Sequence, residues 1–495
     1  MTKAMWPLVV IYICIRSTTT LLGGGPITPA DPASPASEFN ILKYGAVADG
    51  KTMNTDAFRA AIKACSDADG GRVVVPSGTF LTGPIVLKSH VDLHVDDGAL
   101  VLFSQKFDDY PLILLSYEGH DTVGCQSPIS GDHLDHVSIT GPGTFDAQGD
   151  YWRPLKKSKV TDEYWNKMVH SGGVLDDSGK TWYPSAAARD GDAALQQLRA
   201  STEPPRIADY IPYRDVLRPV LLLLSNSTNV TLDGPTFKNS PNWGLHLLLS
   251  DHINVHHITI DNPEYAQNGD GIDIDSCTDL TMRDSDVNAG DDGICLKSGR
   301  DEEGRRLGRP TEDITIDNCT VGHAHGGFVI GSEMSGGVRN VTVTHCTFHG
   351  TDAGLRFKSV RGRGGVVENI KVSDINMSDI KGAAITFDMY YYAKATATSQ
   401  PVNEGTPIFR NFQISNITCQ GAKQAIMLRG LPEMPISQIT MDNVHINSDQ
   451  GVSITDASDI TLHNVHVECT VPPALEKDNV SGLKTDDFSA DVQSK

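Results

Sequence analysis

The fold is decided by a short pattern that recurs between residues 253 and 316: Ile253-Asn254-Val255, Leu280-Thr281-Met282 and Ile314-Thr315-Ile316. In each copy two apolar residues flank one polar residue, which is the period of a β-strand with one buried face. Similar segments are found at 136–139, 229–232, 341–343, 370–372, 412–414, 439–441 and 460–462. Asparagine, aspartate and glycine separate the copies, as expected at bends of the chain.

The spacing of these copies indicates a solenoid. From residue 253 onward they start about 20 to 40 residues apart, and the shortest intervals match one coil of a parallel β-helix. One coil cannot bury its inner face alone, so neighbouring coils must stack around a continuous core. We therefore predict an all-β parallel β-helix. A β-sandwich or propeller is the alternative, but it would need hairpin turns, and the sequence shows few of them.

The predicted domain spans residues 38–470 and is followed by a C-terminal tail at 471–495. Residues 55–65 have apolar side chains at helical spacing after a Thr-Asp start, which predicts a helix that caps the open end of the solenoid. Residues 1–37 are interpreted as a leader, because Lys3 precedes a short apolar run at 6–15 of signal-peptide length. The rest of this segment, from residue 17 to about 37, is rich in Thr, Gly, Pro, Ala and Ser and is interpreted as a flexible spacer. We expect a secreted or periplasmic protein without a stable membrane anchor.

Residues 150–216 interrupt the strand pattern. They contain Trp152, Trp165 and Trp182 and a helical stretch at 192–198. Insertions in a solenoid map to one face, and the aromatic side chains favour the wall of a binding cleft. The alternative is a surface loop that packs only on itself.

Composition excludes several classes of function. With 41 Lys and Arg against 62 Asp and Glu, the 495-residue chain carries a net charge of −21. This charge argues against a nucleic-acid partner, which needs clustered cations. We expect a monomer. Eight cysteines lie beyond the leader without a C-x-x-C motif, so we favour buried thiols, with a Cys295–Cys319 bridge as the alternative.

Acidic residues flanked by glycines dominate the middle of the chain. Asp270 precedes the Asp291-Asp292 pair by about one short coil, so the three carboxylates should meet on one face. Crowded carboxylates raise the pKa of at least one of them, which leaves one proton for an acid and one ionised base. Glycoside hydrolysis requires that pair. For Asp273 and Asp275 we favour ordinary turn chemistry instead.

The following coils add basic residues. His325 lies in the segment 322–327, with His323 as a nearby competitor, and Arg356 and Lys358 follow about one coil later. Alternate residues of a strand point to the same side, so both cations should be exposed on the face of the acids. Such a site suits an acidic sugar, although a solvated charge pair would be the ordinary fate of these residues.

Taken in order, Asn-x-Asp at 268–270, Gly-Asp-Asp at 290–292, His-Gly at 325–326 and Arg-x-Lys at 356–358 resemble glycoside hydrolase family 28, the polygalacturonases. The resemblance covers about residues 39–470 and includes Ser-Pro-Asn-Trp at 240–243. It implies a right-handed β-helix and inverting hydrolysis of α-1,4-linked galacturonic acid without a metal or other cofactor.

The family's site residues carry over onto matching positions. Asp291 matches the general acid, Asp270 and Asp292 match the carboxylates that activate water, and His325 matches the histidine that supports the acid. Arg356 and Lys358 match the cations that hold the substrate carboxylate. The chain departs from the family pattern at Gly269, Gly293 and Ala324, where Thr, Cys and Gly are common.

Three alternatives stay open. A rhamnogalacturonan hydrolase would share the fold, but such enzymes tend to lack the Arg-x-Lys pair. A pectate lyase would use calcium and an arginine base and leave an unsaturated product. A non-catalytic β-helix would not need acids in register. We favour an exo-acting polygalacturonase, because the insertion and the aromatic segment 390–392 can close one end of the cleft; endo action is the alternative.

Overall fold

The computed structural model describes residues 37–200, 204–394 and 398–493. The leader predicted at 1–37 lies outside the described residues apart from Ser37. Over the described residues, each strand of the main domain pairs in parallel with the equivalent strand one coil away. Parallel crossovers of this kind are right-handed, so the predicted right-handed parallel β-helix is confirmed.

The coils form three parallel sheets, named A, B and C. Sheet A contains Glu38–Asn40, Gly71–Val75, Val91–Val95, Asp135–Thr140, Thr228–Asp233, Asp251–His256, Thr278–Arg283, Thr311–Asp317 and Val338–Thr344. Sheet B contains Asp49–Met53, Gly78–Thr82, Ala99–Phe103, Thr144–Asp146, Thr236–Lys238, Thr259–Asp261, Asp286–Asn288, Thr320–Val321 and Thr347–His349. Sheet C contains Ile85–Val86, Ile129–Asp132, Leu222–Ser225, Leu245–Leu248, Ile272–Asp275, Asp292–Lys297, Gly326–Ile330 and Leu355–Lys358. In the later coils one long strand passes from sheet to sheet without a break, as in Val366–Asp388, Ile408–Arg429 and Ile436–Ser481. The last coil ends with Lys484–Val492.

The recurring pattern forms the inner face of sheet A. Val230 is in register with Ile253, Ile253 with Leu280, and Leu280 with Ile314. These side chains are at most 1% exposed. The core is therefore a set of apolar columns along the solenoid axis, as the spacing predicts.

The asparagines and aspartates that precede these apolar residues turn the backbone. Asn340, Asn369 and Asn411 have φ values of 58°, 59° and 58°, in the left-handed region that asparagine tolerates better than most residues. The Asn340 amide donates to Asp313 at 3.0 Å, Asn369 to Asn340 at 3.1 Å and Asn411 to Asn369 at 2.6 Å. Asparagine thus recurs at this position because it tolerates the left-handed backbone conformation and its side-chain amide donates a hydrogen bond to the preceding coil.

The two ends of the solenoid differ from each other. The helix Thr55–Asp67 buries Phe58, Ala61 and Ile62 and occupies the predicted capping position. The predicted C-terminal tail needs correction, because Lys484–Val492 pairs with 461–469 and extends the coils to residue 492. Its side chains are mostly exposed or half-buried, so the apolar alternation that marks the other strands is weak there.

The insertion has a compact structure of its own. Leu155–Lys156, Val174–Leu175 and Thr181–Tyr183 form a small antiparallel sheet, and the helices are Asp162–His170, Ala186–Asp190, Asp192–Arg199 and Ile207–Tyr210. Trp165 and Trp182 share one apolar cluster. Trp152 packs with Tyr110 in another cluster, beside the hairpin Leu112–Tyr117 and His120–Cys125. A further α-helix, Asp301–Leu307, follows the strand Asp292–Lys297 of sheet C.

All eight cysteines of the described residues are free and buried, which confirms the interpretation as buried thiols. The alternative bridge between Cys295 and Cys319 is wrong. The Cys295 thiol lies on the outer side of sheet C, 3.9 Å from the Asp292 carboxylate, whereas Cys319 belongs to the inner core.

Candidate active site

The three predicted acids meet at the start of two neighbouring strands of sheet C. Asp270 precedes Ile272–Asp275, and Asp291 and Asp292 stand at the start of the next strand. The Gly271 amide donates to the Asp292 carbonyl at 2.8 Å, which fixes the register of the two coils. One oxygen of each of the three carboxylates lies within 4.8 Å of the others. The spacing of one coil thus produces the expected cluster.

The three carboxylates differ in exposure. Asp270 and Asp292 are 3% and 2% exposed, whereas the Asp291 side chain is 25% exposed. His325 Nδ1 lies 2.9 Å from Asp291 Oδ1. His323 Nε2 instead lies 2.9 Å from the Asn262 carbonyl oxygen. His325, rather than His323, is therefore the histidine that touches the acid cluster.

Both predicted cations bind Asp292. Arg356 Nη1 lies 3.1 Å from one Asp292 oxygen, and Lys358 Nζ lies 2.6 Å from the other. The expectation that both cations are exposed is wrong for Lys358, which is 4% exposed. The ring of Tyr391 covers it, with Lys358 Nζ 4.9 Å from the ring centre and the Arg356 guanidinium 5.8 Å away. Strand alternation predicts the direction of the two side chains but not the loop above them.

A second layer of buried charge lies next to the acids, and the sequence reasoning missed it. Lys297 Nζ lies 3.4 Å from Asp273, 3.2 Å from Glu333 and 4.0 Å from Asp270. It also stands 4.6 Å from the ring centre of Trp243. Asp273 is fully buried within a strand, so its interpretation as turn chemistry is wrong.

Asp275 is also a strand residue, not a turn residue. One of its oxygens lies 3.3 Å from His246 Nε2, and the other accepts from the Gly299 amide at 3.1 Å. The available signal was the alternation Ile-Asp-Ile-Asp at 272–275, which points both aspartates outward from the core. Both are nevertheless buried, so the outer face of sheet C is covered at this coil.

Burial and neighbouring charges shift the pKa values of these aspartates in different directions. Burial raises the pKa of Asp292, but attraction to Lys358, Arg356 and Lys297 outweighs it and holds that pKa well below its usual range. Burial, then repulsion from Asp273 and Asp291, raises the pKa of Asp270 well above its ordinary value. Burial also raises the pKa of Asp273 to about 7. The raised pKa that we predicted for the cluster therefore falls on Asp270.

The hydrogen bond to Asp291 raises the pKa of His325 above its ordinary value, against the opposing effect of burial. An imidazolium at this position donates Nδ1–H to Asp291 Oδ1, which leaves the second oxygen of that carboxyl group available to carry the proton of a general acid. Asp291 is thus held by a positioned, charge-assisted donor while part of its side chain reaches solvent.

A cavity of about 1070 Å³ opens beside Asp291 and His325. The insertion contributes Lys159 and Arg189 to its lining, and the hairpin contributes Tyr117. A second groove of about 460 Å³ lies beyond Arg356 and Lys358 and is also lined by Tyr391 and Lys423. The acids therefore stand between a walled cavity on the side of the insertion and a shallower groove along the later coils.

Comparison with known proteins gives a consistent result. The family model described as glycosyl hydrolases family 28 matches residues 214–471, and one described as rhamnogalacturonase A/epimerase, pectate lyase-like, matches residues 38–98. The chain is similar to a probable polygalacturonase of Vitis vinifera, with 30% identity over 83% of this chain and 74% of that protein. An endo-polygalacturonase of Pectobacterium carotovorum subsp. carotovorum is 28% identical over 87% of this chain and 92% of that protein.

Among solved structures, an exopolygalacturonase of Thermotoga maritima is similar, with 30% identity and a TM-score of 0.71. The alignment covers 84% of this chain and 88% of that one. In the part of the chain that the structure describes, no helix is long and apolar enough to cross a membrane.

Proposed function

The chain belongs to glycoside hydrolase family 28, and from that premise we propose that it hydrolyses the α-1,4 linkages of polygalacturonate by general acid and base catalysis. The proposal is carried by one observation: a half-buried Asp291, paired with His325, faces a cavity beside an Asp292 that two cations keep ionised. Arg356 and Lys358 add positive charge where an acidic sugar would lie.

In this mechanism Asp291 donates the proton to the leaving glycosidic oxygen. It is the most exposed of the three acids, so it is the one that a sugar oxygen can reach. His325 orients the Asp291 carboxyl through its Nδ1 contact. The ionised Asp292 accepts a proton from the attacking water as the water oxygen bonds to the anomeric carbon, which balances the proton that Asp291 gives to the leaving oxygen. Asp270, the third acid of the cluster, orients the same water by a hydrogen bond.

The stereochemical course needs a direct test. Inverting enzymes place their two carboxyl groups roughly 6.5–9.5 Å apart to admit a water, whereas retaining enzymes place them about 5–5.5 Å apart. In this cluster one oxygen of each carboxylate lies within 4.8 Å of the others, an oxygen-to-oxygen distance below the inverting range. Inversion is therefore proposed on the family resemblance alone. Proton NMR of the first product formed, before its anomers equilibrate, distinguishes the two outcomes.

We further propose exo action at a chain end, because the insertion walls the cavity next to Asp291 while the groove beyond Lys358 is shallower. Endo action is the alternative, since the relatives include an endo-polygalacturonase. Viscosity distinguishes the two modes. A polygalacturonate solution that stays viscous while reducing ends accumulate supports exo action, and an early collapse of viscosity contradicts it.

The proposed enzyme is a secreted or periplasmic monomer that needs no cofactor or metal. Lys297, Arg356 and Lys358 already supply positive charge to the acid cluster. Full activity of the purified enzyme with a chelator present would support this proposal, and loss of activity restored by calcium would favour a lyase. The match of residues 38–98 to a rhamnogalacturonase model makes rhamnogalacturonan the comparison substrate. The proposal requires a higher rate on polygalacturonate.

A further inference from the structure

Arg218 presents a cation to the cavity without a carboxylate partner. It follows the insertion and precedes the strand Leu222–Ser225. Its Nη1 donates to the carbonyl oxygens of Pro241 at 3.0 Å and Gln267 at 2.8 Å, and its Nη2 donates to Asn268 Oδ1 at 3.1 Å. Within the described residues, no carboxylate oxygen lies within 4.0 Å of its side-chain nitrogens. Three neutral acceptors therefore fix the guanidinium in place and leave its charge uncompensated.

The fully buried cations of this region are all paired with carboxylates. Lys297, Lys358, Arg153 and Arg363 are each at most 4% exposed, and each has a carboxylate oxygen within 4.0 Å. Arg218 differs from them, because it is half-buried, lines the cavity and has no carboxylate of the described residues within ion-pair distance. Partial burial lowers its pKa to about 10, against a weaker attraction to Asp192. Such a group is costly for the free protein. A ligand carboxylate in the cavity would remove that cost.

The position of Arg218 along the solenoid is informative. Sheet C runs from Leu222–Ser225 through Ile272–Asp275 and Asp292–Lys297 to Leu355–Lys358. The acids therefore lie between Arg218 on the earlier coils and Arg356 on the later coils. Two coil steps separate the strand after Arg218 from the strand after Asp270, and two separate the strand of Asp292 from that of Arg356; each step is roughly 4.8 Å. Arg218 also binds Asn268, which precedes Asp270 by two residues.

We infer that Arg218 is a second carboxylate-binding site, which holds the carboxylate of a galacturonic acid unit on the opposite side of the scissile bond from Arg356 and Lys358. This inference rests on the proposed function, since only a polymer with a carboxylate on each sugar offers anions on both sides of the cleaved linkage. The Nη1 group and one Nη2 hydrogen are already used. The Nε–H and the second Nη2–H can donate in parallel to both oxygens of a carboxylate, a geometry that lysine cannot reproduce.

The test is calorimetric binding of a galacturonic acid trimer and of its fully methyl-esterified form. It uses Asp291→Asn protein, which keeps the ligand intact. Arg218→Met in this background should bind the acidic trimer about ten- to a hundred-fold more weakly, the loss expected for hydrogen bonds between charged groups. Arg218→Lys should lie between the two. The matched control is Arg410→Met, because Arg410 lies outside the cavity and is paired with Glu368; it should bind the trimer like the parent protein.

The esterified trimer separates recognition from structure. Its affinity should be unchanged by Arg218→Met within about twofold. An equal loss on both trimers, or a loss no larger than that of Arg410→Met, overturns the role of Arg218 and leaves the proposed function standing. If the parent protein itself binds the acidic trimer no more tightly than the ester, the proposed function fails and this inference fails with it. Arg218→Lys gives the same comparison if Arg218→Met does not fold.

Discussion

Lys297 is the residue whose loss should disturb the site most. It is 3% exposed and lies within 4.0 Å of carboxylate oxygens of Asp270, Asp273 and Glu333. Lys297→Met keeps most of the side-chain volume and removes only the charge. Breaking a buried ion pair by removing one partner costs about 3–5 kcal/mol. We therefore expect the free energy of unfolding of Lys297→Met to fall by about that amount.

The same substitution should slow catalysis, because Asp292 would lose one of the three cations that lower its pKa and keep it ionised as the base. Turnover should fall by about a hundred-fold or more, on the scale of losing a positioned acid–base group. The folded fraction and the rate are measured separately, by urea denaturation and by release of reducing ends. KM for polygalacturonate should change little, since Lys297 is covered and does not line either groove beside the acids.

A double substitution distinguishes charge balance from packing. Lys297→Met combined with Asp273→Asn removes one cation and one facing anion, so it should be more stable than Lys297→Met alone. The expected coupling energy is about 0.5–3 kcal/mol. If Lys297→Met has the stability and the turnover of the unaltered protein, or if the two substitutions are strictly additive, the buried charge layer does not support the acids as argued.

Three further predictions concern the acids and their partners. Asp291→Asn should reduce turnover by about 10²–10⁴-fold or more while the melting temperature stays unchanged. A near-normal rate would show that Asp291 is not the general acid. Lys358→Met should raise KM for polygalacturonate and also lower the rate and the stability, because Lys358 is buried against Asp292; the effect on KM should be smaller on a fully methyl-esterified substrate, and equal effects on both would contradict carboxylate binding. Because the folded-state pKa of Asp273 is about 7, above its ordinary value of 3.8, the folded protein retains a proton that the unfolded chain has lost, so the free energy of unfolding should fall as pH rises from about 4 to 7. Asp273→Asn should flatten that slope, and an unchanged slope would show that Asp273 does not titrate in this range.

Much of the fold could be predicted because the pattern in sheet A is local. Each apolar column is formed by residues that alternate along a short strand, and the asparagines that turn the backbone, such as Asn340 and Asn369, are visible as letters in the sequence. The C-terminal coil was missed because the side chains of 484–492 are mostly exposed, so alternation gives no signal. The interior of the insertion was not predictable, since Trp152, Trp165 and Trp182 pack in two separate clusters that include residues far away in the sequence.

The site was predictable to the extent that it depends on coil spacing. One coil brings Asp270 to Asp292, and later coils bring Arg356 and Lys358 to the same carboxylate. Burial of these groups was not predictable, because it is produced by loops such as the one that carries Tyr391. Lys297 and Glu333 were missed for the same reason: an isolated lysine or glutamate in a strand-rich sequence is usually a surface residue, and only the covered outer face of sheet C turns them into buried partners.

If the chain is a hydrolase, a water molecule activated at this acid cluster cleaves the glycosidic bond of polygalacturonate. Digestion in water enriched in heavy oxygen tests this step, with prompt mass spectrometry of the products before the anomeric oxygen exchanges. We predict one labelled oxygen at each newly formed reducing end, and no product from Asp291→Asn under the same conditions. Unlabelled products that absorb ultraviolet light through a new carbon–carbon double bond would show elimination instead, and would contradict the account.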